Sequence, residues 1–104
     1  MEAIVVYVTS PNEEEAVKIA KTLLEERLCA CVNIIKSMRS LYHWQGNIED
    51  DSEVLMIIKT QKGLFKKLSE KIKAIHPYTV AEIISLPIID GSDAYLKWLK
   101  ESTV

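Results

Sequence analysis

A strand, an amphipathic helix and another strand follow one another twice in this 104-residue chain, and that repetition leaves few folds open. The first unit begins with Ala3-Ile4-Val5-Val6-Tyr7-Val8, a continuous apolar run rich in β-branched residues, as in a strand covered on both faces. Thr9-Ser10-Pro11-Asn12 breaks the run. Asn12 is suited to cap a helix, because Glu15 stands three residues later and an acidic first turn complements the helix dipole. Ala16, Ile19, Ala20, Leu23, Leu24 and Leu28 keep a helical period, predicting an amphipathic helix over 13–28. A second strand region is expected from Cys29 to Trp44; it is long for one strand, so a bend or bulge belongs over Lys36 to Arg39.

The second unit follows the turn signal Gly46-Asn47 and a polar, acidic lead-in from Ile48 to Glu53. Val54-Leu55-Met56-Ile57-Ile58 is the third strand. Phe65, Leu68, Ile72 and Ile75 predict a second amphipathic helix. It must end near His76, because a residue before proline is disfavoured in helical space. Thr79 to Ile89 is expected as the fourth strand region, with Pro87 marking an edge or a bulge. Asp90-Gly91 turns the chain, Ser92 caps, and Tyr95, Leu96, Trp98 and Leu99 are expected to face inward on a short final helix.

Two such units joined by a hairpin give an α+β fold over 1–104, a single-domain ferredoxin-like βαββαβ sandwich with an extra C-terminal helix. Right-handed crossovers place both long helices on one face of the sheet. The other face should then be polar, yet the third strand offers five consecutive apolar residues and the first strand is as oily. A patch of that size is expected to be buried between identical subunits, with a closed ring as the natural arrangement.

Apolar residues make up 48% of the chain, which excludes intrinsic disorder. A net charge of −2 gives no general attraction to nucleic acid, and no run approaches the apolar length of a membrane span. Strand-like residues begin at Ala3 and leave no room for a signal peptide, so a cytoplasmic protein is expected, with Cys29 and Cys31 as reduced thiols.

Both histidines sit in aromatic clusters, His43 within Leu41-Tyr42-His43-Trp44 and His76 within His76-Pro77-Tyr78. His76 closes a helix; there it could bind a divalent metal or merely cap the helix. One histidine makes a poor site alone, so Glu82 or a cysteine would have to join it. On a strand, Cys29 and Cys31 would point to one face about 6.6 Å apart, as soft ligands for Cu(I) or zinc, or as plain core residues. Tyr42, Trp44 and Tyr78 could wall a ligand cleft, with Lys59 and His76 offering charge; equally, they could anchor a subunit interface. Alternation turns His43 away from Tyr42 and Trp44, to the surface. Glu49, Asp50, Asp51 and Glu53 lack calcium-loop spacing and read as a solvated hairpin.

Arg27-Leu28-Cys29-Ala30-Cys31-Val32-Asn33, Leu41-Tyr42-His43-Trp44-Gln45-Gly46 and Ile57-Ile58-Lys59-Thr60 resemble, in order, motifs of the CutA divalent-cation-tolerance family. So do His76-Pro77-Tyr78 and Tyr95-Leu96-Lys97-Trp98, and the resemblance covers the whole chain. It implies a ferredoxin-like homotrimer similar to the nitrogen-regulatory signalling trimers, with a small ligand or metal ion in clefts between subunits. It also implies a part in tolerance to copper and other divalent cations, and no catalytic reaction. The chain departs from the family pattern at three places. Ala81 stands where the family usually has proline, Val8 where some members carry a cysteine near the copper site, and Cys29 where alanine is usual; Cys31 is the family's cysteine.

The expectation is therefore a trimeric binding or signalling protein of divalent metal-ion homeostasis, or else a trimeric scaffold in which metal is incidental. Enzymes and RNA binders of this topology fit poorly. Thr9-Ser10-Pro11-Asn12 lacks the phosphate-holding arginine of acylphosphatases, and the third strand carries no aromatic on which a base could stack.

Overall fold

Strand alternation decides what this sheet buries. A computed structural model describes residues 2–104 and gives β1 (Ala3–Ser10), α1 (Glu13–Glu25), β2 (Cys31–Trp44) and β3 (Asn47–Gln61). A short 3-10 turn (Lys62–Leu64), α2 (Phe65–Ile75), β4 (Ile83–Pro87) and α3 (Asp93–Glu101) complete the chain. The four strands form one antiparallel sheet in the order β2-β3-β1-β4, the ferredoxin-like arrangement with α3 added. Ile4, Val6 and Val8 of β1 and Val54, Met56 and Ile58 of β3 lie on one face, against Ala16, Ile19 and Leu23 of α1 and Leu68 and Ile72 of α2. Burying each large aliphatic side chain there contributes about 1.5–3 kcal/mol.

Asn12 caps α1 as expected, its Oδ1 accepting from Glu15 N at 2.9 Å. The helix stops at Glu25 rather than residue 28, because Arg27 takes a left-handed conformation (φ 56°). Leu28 N then donates to Leu23 O and Arg27 N to Leu24 O, both at 3.0 Å, a Schellman closure that still delivers Leu28 to the core. Arg27 is fastened in turn. Its guanidinium donates to Glu101 O at 2.6 Å, and its carbonyl accepts from Val104 N at 3.0 Å.

β2 begins at Cys31, not Cys29, and carries the expected irregularity between Ile35 and Met38, where Ser37 has φ 63°. The acidic stretch expected as a lead-in is strand: β3 starts at Asn47 and pairs with β2 down to the turn. Gln45 (φ 50°) and Gly46 (φ 80°) form a two-residue turn of the type that matches strand twist. The fourth strand is shorter than the expected Thr79–Ile89, with only Ile83–Pro87 in the ladder.

The face away from the helices is assembled in rows by the register. One row is Cys31, Lys59, Val5 and Leu86; the next is Asn33, Ile57, Tyr7 and Ile84. α3 closes one end, with Leu99 fully buried against Ala3 and Ala30 and Leu96 beside them. Tyr95 and Trp98, expected to face inward, are instead 42% and 44% exposed and lie against each other. A nine-residue helix presents only one narrow face to the sheet, and Leu96 and Leu99 occupy it. Ile35, Ile84 and Leu86 also stay about half exposed, so one chain does not hide this face.

Candidate functional site

Pro77 ends α2 and pushes His76 into extended backbone (φ −78°, ψ 138°), which turns its ring inward. His76 is buried. Its Nε2 lies 2.7 Å from Thr9 O, and its Nδ1 accepts from Tyr78 N at 3.0 Å. A carbonyl can only accept and a backbone N–H can only donate, so the tautomer with hydrogen on Nε2 satisfies both. Neither ring nitrogen then has a free lone pair for a metal ion.

This fastening positions Tyr78. Its ring lies 4.8 Å from the His76 ring, and its hydroxyl donates to Glu53 Oε2 at 2.7 Å. Burial first, then the bond to Glu53, raises the Tyr78 phenol well above its ordinary value. Glu53 stands at the base of the hairpin and is only 6% exposed. Across from it, the Tyr42 hydroxyl donates to Asp51 Oδ2 at 2.6 Å, a bond that, with burial and neighbouring acids, pushes its phenol up to about 12. Arg39 is clamped by Asp50 through Nε at 2.9 Å and an Nη at 2.6 Å, holding the Asp50 carboxyl below the usual range.

Between the hairpin and the chain following α2 lies a cleft of about 870 Å3. Tyr42, Trp44 and Tyr78, the residues expected to wall a ligand, line it together with Glu82, expected as a metal ligand, and Glu53. His43 is exposed, as alternation indicated, and also borders the cleft.

The other candidates lie elsewhere. Lys59 is on the open sheet face, bonded to Asn33 Oδ1 and 3.8 Å from Cys31 Sγ. Cys29 is 1% exposed in the helix-side core, where burial, and then Cys31, push its thiol up to about 12. Because Cys29 precedes β2 while Cys31 opens it in the Lys59 row, the two thiols do not share a strand face. His76, Cys29, Cys31 and Glu82 are therefore not brought together within one chain. Among the described residues, no group of three His, Cys, Asp or Glu side chains is placed to hold a metal ion. The described residues of a single chain do not by themselves fit a resident metal.

Glu53 is the residue that sequence reasoning missed. It was expected in solvent with its acidic neighbours, yet it is buried under Tyr78. Its place directly before the apolar run Val54-Leu55-Met56 was the available signal.

Residues 4–102 match the family described as CutA1 divalent ion tolerance protein. The divalent-cation tolerance protein CutA of Thermus thermophilus is 54% identical over 99 residues, covering 95% of this chain and 96% of that protein. Protein CutA, chloroplastic, of Arabidopsis thaliana is 52% identical over 97% of this chain, which spans only 56% of the plant protein. Among solved structures, CutA1 from Oryza sativa superposes with a TM-score of 0.97 at 47% identity, covering 100% of this chain and 95% of that one. A CutA from Archaeoglobus fulgidus, described as periplasmic, superposes with a TM-score of 0.93 at 41% identity, over 96% of this chain and 97% of that one. These relatives overturn the cytoplasmic location expected from the sequence. Plant members are named for the chloroplast and the archaeal one for the periplasm, so one fold serves several compartments. Matched almost from end to end in sequence and in fold, the chain belongs to the CutA1 divalent ion tolerance protein family.

Proposed function

We propose that this protein works as a homotrimer in divalent-cation tolerance, binding its ligand in clefts that lie where subunits meet. One observation carries the reading: an apolar sheet face that a single chain leaves about half exposed at Ile35, Ile84 and Leu86. Leu55 and Thr9 of that face also border the cleft, so copies covering the face would wall the cleft as well. Water-exposed apolar surface of this extent favours self-association, and a ring closes it on itself. The aromatic wall of Tyr42, Trp44 and Tyr78 suits both a ligand and a neighbouring subunit.

The names of the relatives bring a divalent cation to this chain as the species it handles; that the ion is copper or zinc is our own reading, from the soft thiol of Cys31. Donors for such an ion would be drawn from more than one copy, with Glu82 and Cys31 the expected ligands that remain solvent-reachable. His76, with both ring nitrogens engaged inside its own chain, supports a second reading, a trimeric scaffold in which metal is incidental. Titration calorimetry with Cu(II) and Zn(II) on the wild type and on Glu82→Ala separates the two. Stoichiometric heat that Glu82→Ala weakens supports the binding protein. No heat from the wild type favours the scaffold, and a monomer in solution contradicts both.

A further inference from the structure

Resting on the reading of the cleft as a ligand site, we infer that the group it accepts is an organic cation, an alkylammonium or a guanidinium, held by Glu53 against the aromatic wall. Size is the first argument. A space of about 870 Å3 is that of a small organic molecule rather than of a bare ion, and among the described residues no three metal-ligating side chains converge. An organic cation fills such a volume. A metal ion held by donors from several copies would take up only a small part of it.

Charge is the second. Glu53 is a carboxylate only 6% exposed whose hydrogen-bond partner is a neutral phenol, Tyr78 Oη at 2.7 Å. None of the ion pairs among the described residues includes it. With one oxygen held by a neutral phenol and no ion pair formed, this largely buried carboxylate suits a cation in the cleft it lines. Glu82 on the same cleft adds a second negative group. Arg39 also lines it, but Asp50 already holds that guanidinium through two bonds, so it offers little to an anion.

The aromatic residues are the third. Trp and Tyr faces attract ammonium and guanidinium groups. Tyr42 and Tyr78 each donate their hydroxyl hydrogen to a carboxylate, Asp51 and Glu53. Each phenol oxygen therefore keeps its lone pairs for an incoming N–H. Acceptors and π-faces line one wall, the arrangement an N–H-rich cation needs.

The chain has two tryptophans, so Trp98→Phe leaves Trp44 as a reporter inside the cleft. This protein is titrated with agmatine, which carries an amine and a guanidinium, at constant ionic strength with a chelator present. Succinate and butanol serve as anionic and neutral probes. The expected result is a saturable change in Trp44 fluorescence with agmatine alone, weakened at least about tenfold by Glu53→Gln. Calorimetry on Trp44→Leu, which alters an exposed residue, should show a similar loss and keeps the test open if Glu53→Gln fails to fold.

Saturation by succinate or butanol but not by agmatine would overturn the organic cation and leave the cleft as a ligand site. Silence toward all three probes would overturn the cleft reading itself. Unchanged agmatine affinity in Glu53→Gln would remove Glu53 from the argument and the inference with it. If agmatine is ignored and Glu53→Gln also breaks the oligomer, a basic side chain of a neighbouring copy fills the cleft, and the free ligand is overturned.

Discussion

His76 joins two distant segments, the carbonyl of Thr9 at the end of β1 and the amide of Tyr78 after α2. Removing it orphans both groups and strips the ring that Tyr78 leans on. His76→Ala should therefore cost about 2–4 kcal/mol of stability in denaturant titration, with the cleft disordered alongside. A loss below about 0.5 kcal/mol would mean the ring is dispensable. Cys29 gives a pH-dependent counterpart. Its thiol is raised from 9.0 to about 12 by burial, so the folded chain keeps the proton that the unfolded chain releases. Its contribution is complete below pH 9 and fades as pH climbs toward about 12, at most about 1.4 kcal/mol per pH unit. The stability gap between wild type and Cys29→Ala should narrow over that range, and a gap independent of pH would count against burial of the thiol. At this scale the aromatic residues lining the cleft were legible because Tyr42 and Trp44 stand two apart on one strand face and Tyr78 closes the separate His76-Pro77-Tyr78 motif. Glu53 was not, because its burial depends on Tyr78, which arrives from 25 residues away. Nor was the separation of Cys29 from Cys31, since it depends on where β2 starts.

Elements show a similar division. The helices were readable because a single periodic face of each is buried, the central strands because their apolar runs are unbroken, and Asn12, Pro77 and Ser92 mark ends that local chemistry dictates. Residues 48–53 misled, because a run of consecutive polar residues also pairs as strand where most of a hairpin meets water. Arg39 with Asp50 and Tyr42 with Asp51 bind that hairpin from side to side. Helix α1 ended early for a reason carried by no glycine, since Arg27 holds the left-handed position through bonds to the end of α3. The hairpin turn is the most testable element. Gly46 has φ 80° with nothing within 4 Å of an added Cβ, so Gly46→Ala meets backbone strain and no collision. A cost of roughly 1 kcal/mol is expected from thermal or denaturant unfolding. No measurable cost would show that the turn rearranges freely.

For the whole molecule, the sequence betrayed an excess of oily strand before any coordinates, and the fold places that excess on the face opposite α1 and α2. α3 proved too narrow to cover it, leaving Tyr95 and Trp98 beside the uncovered rows. What those rows touch could not be read from one chain's sequence, because in the oligomer proposed above a second copy covers them. Ile84 is 51% exposed on β4, so Ile84→Asp should cost little within one chain yet break an assembly built on this face. Light scattering at micromolar concentration compares the two proteins directly. The expected result is a trimer for the wild type and single chains, still folded, for Ile84→Asp; a wild type that elutes as single chains would contradict the account.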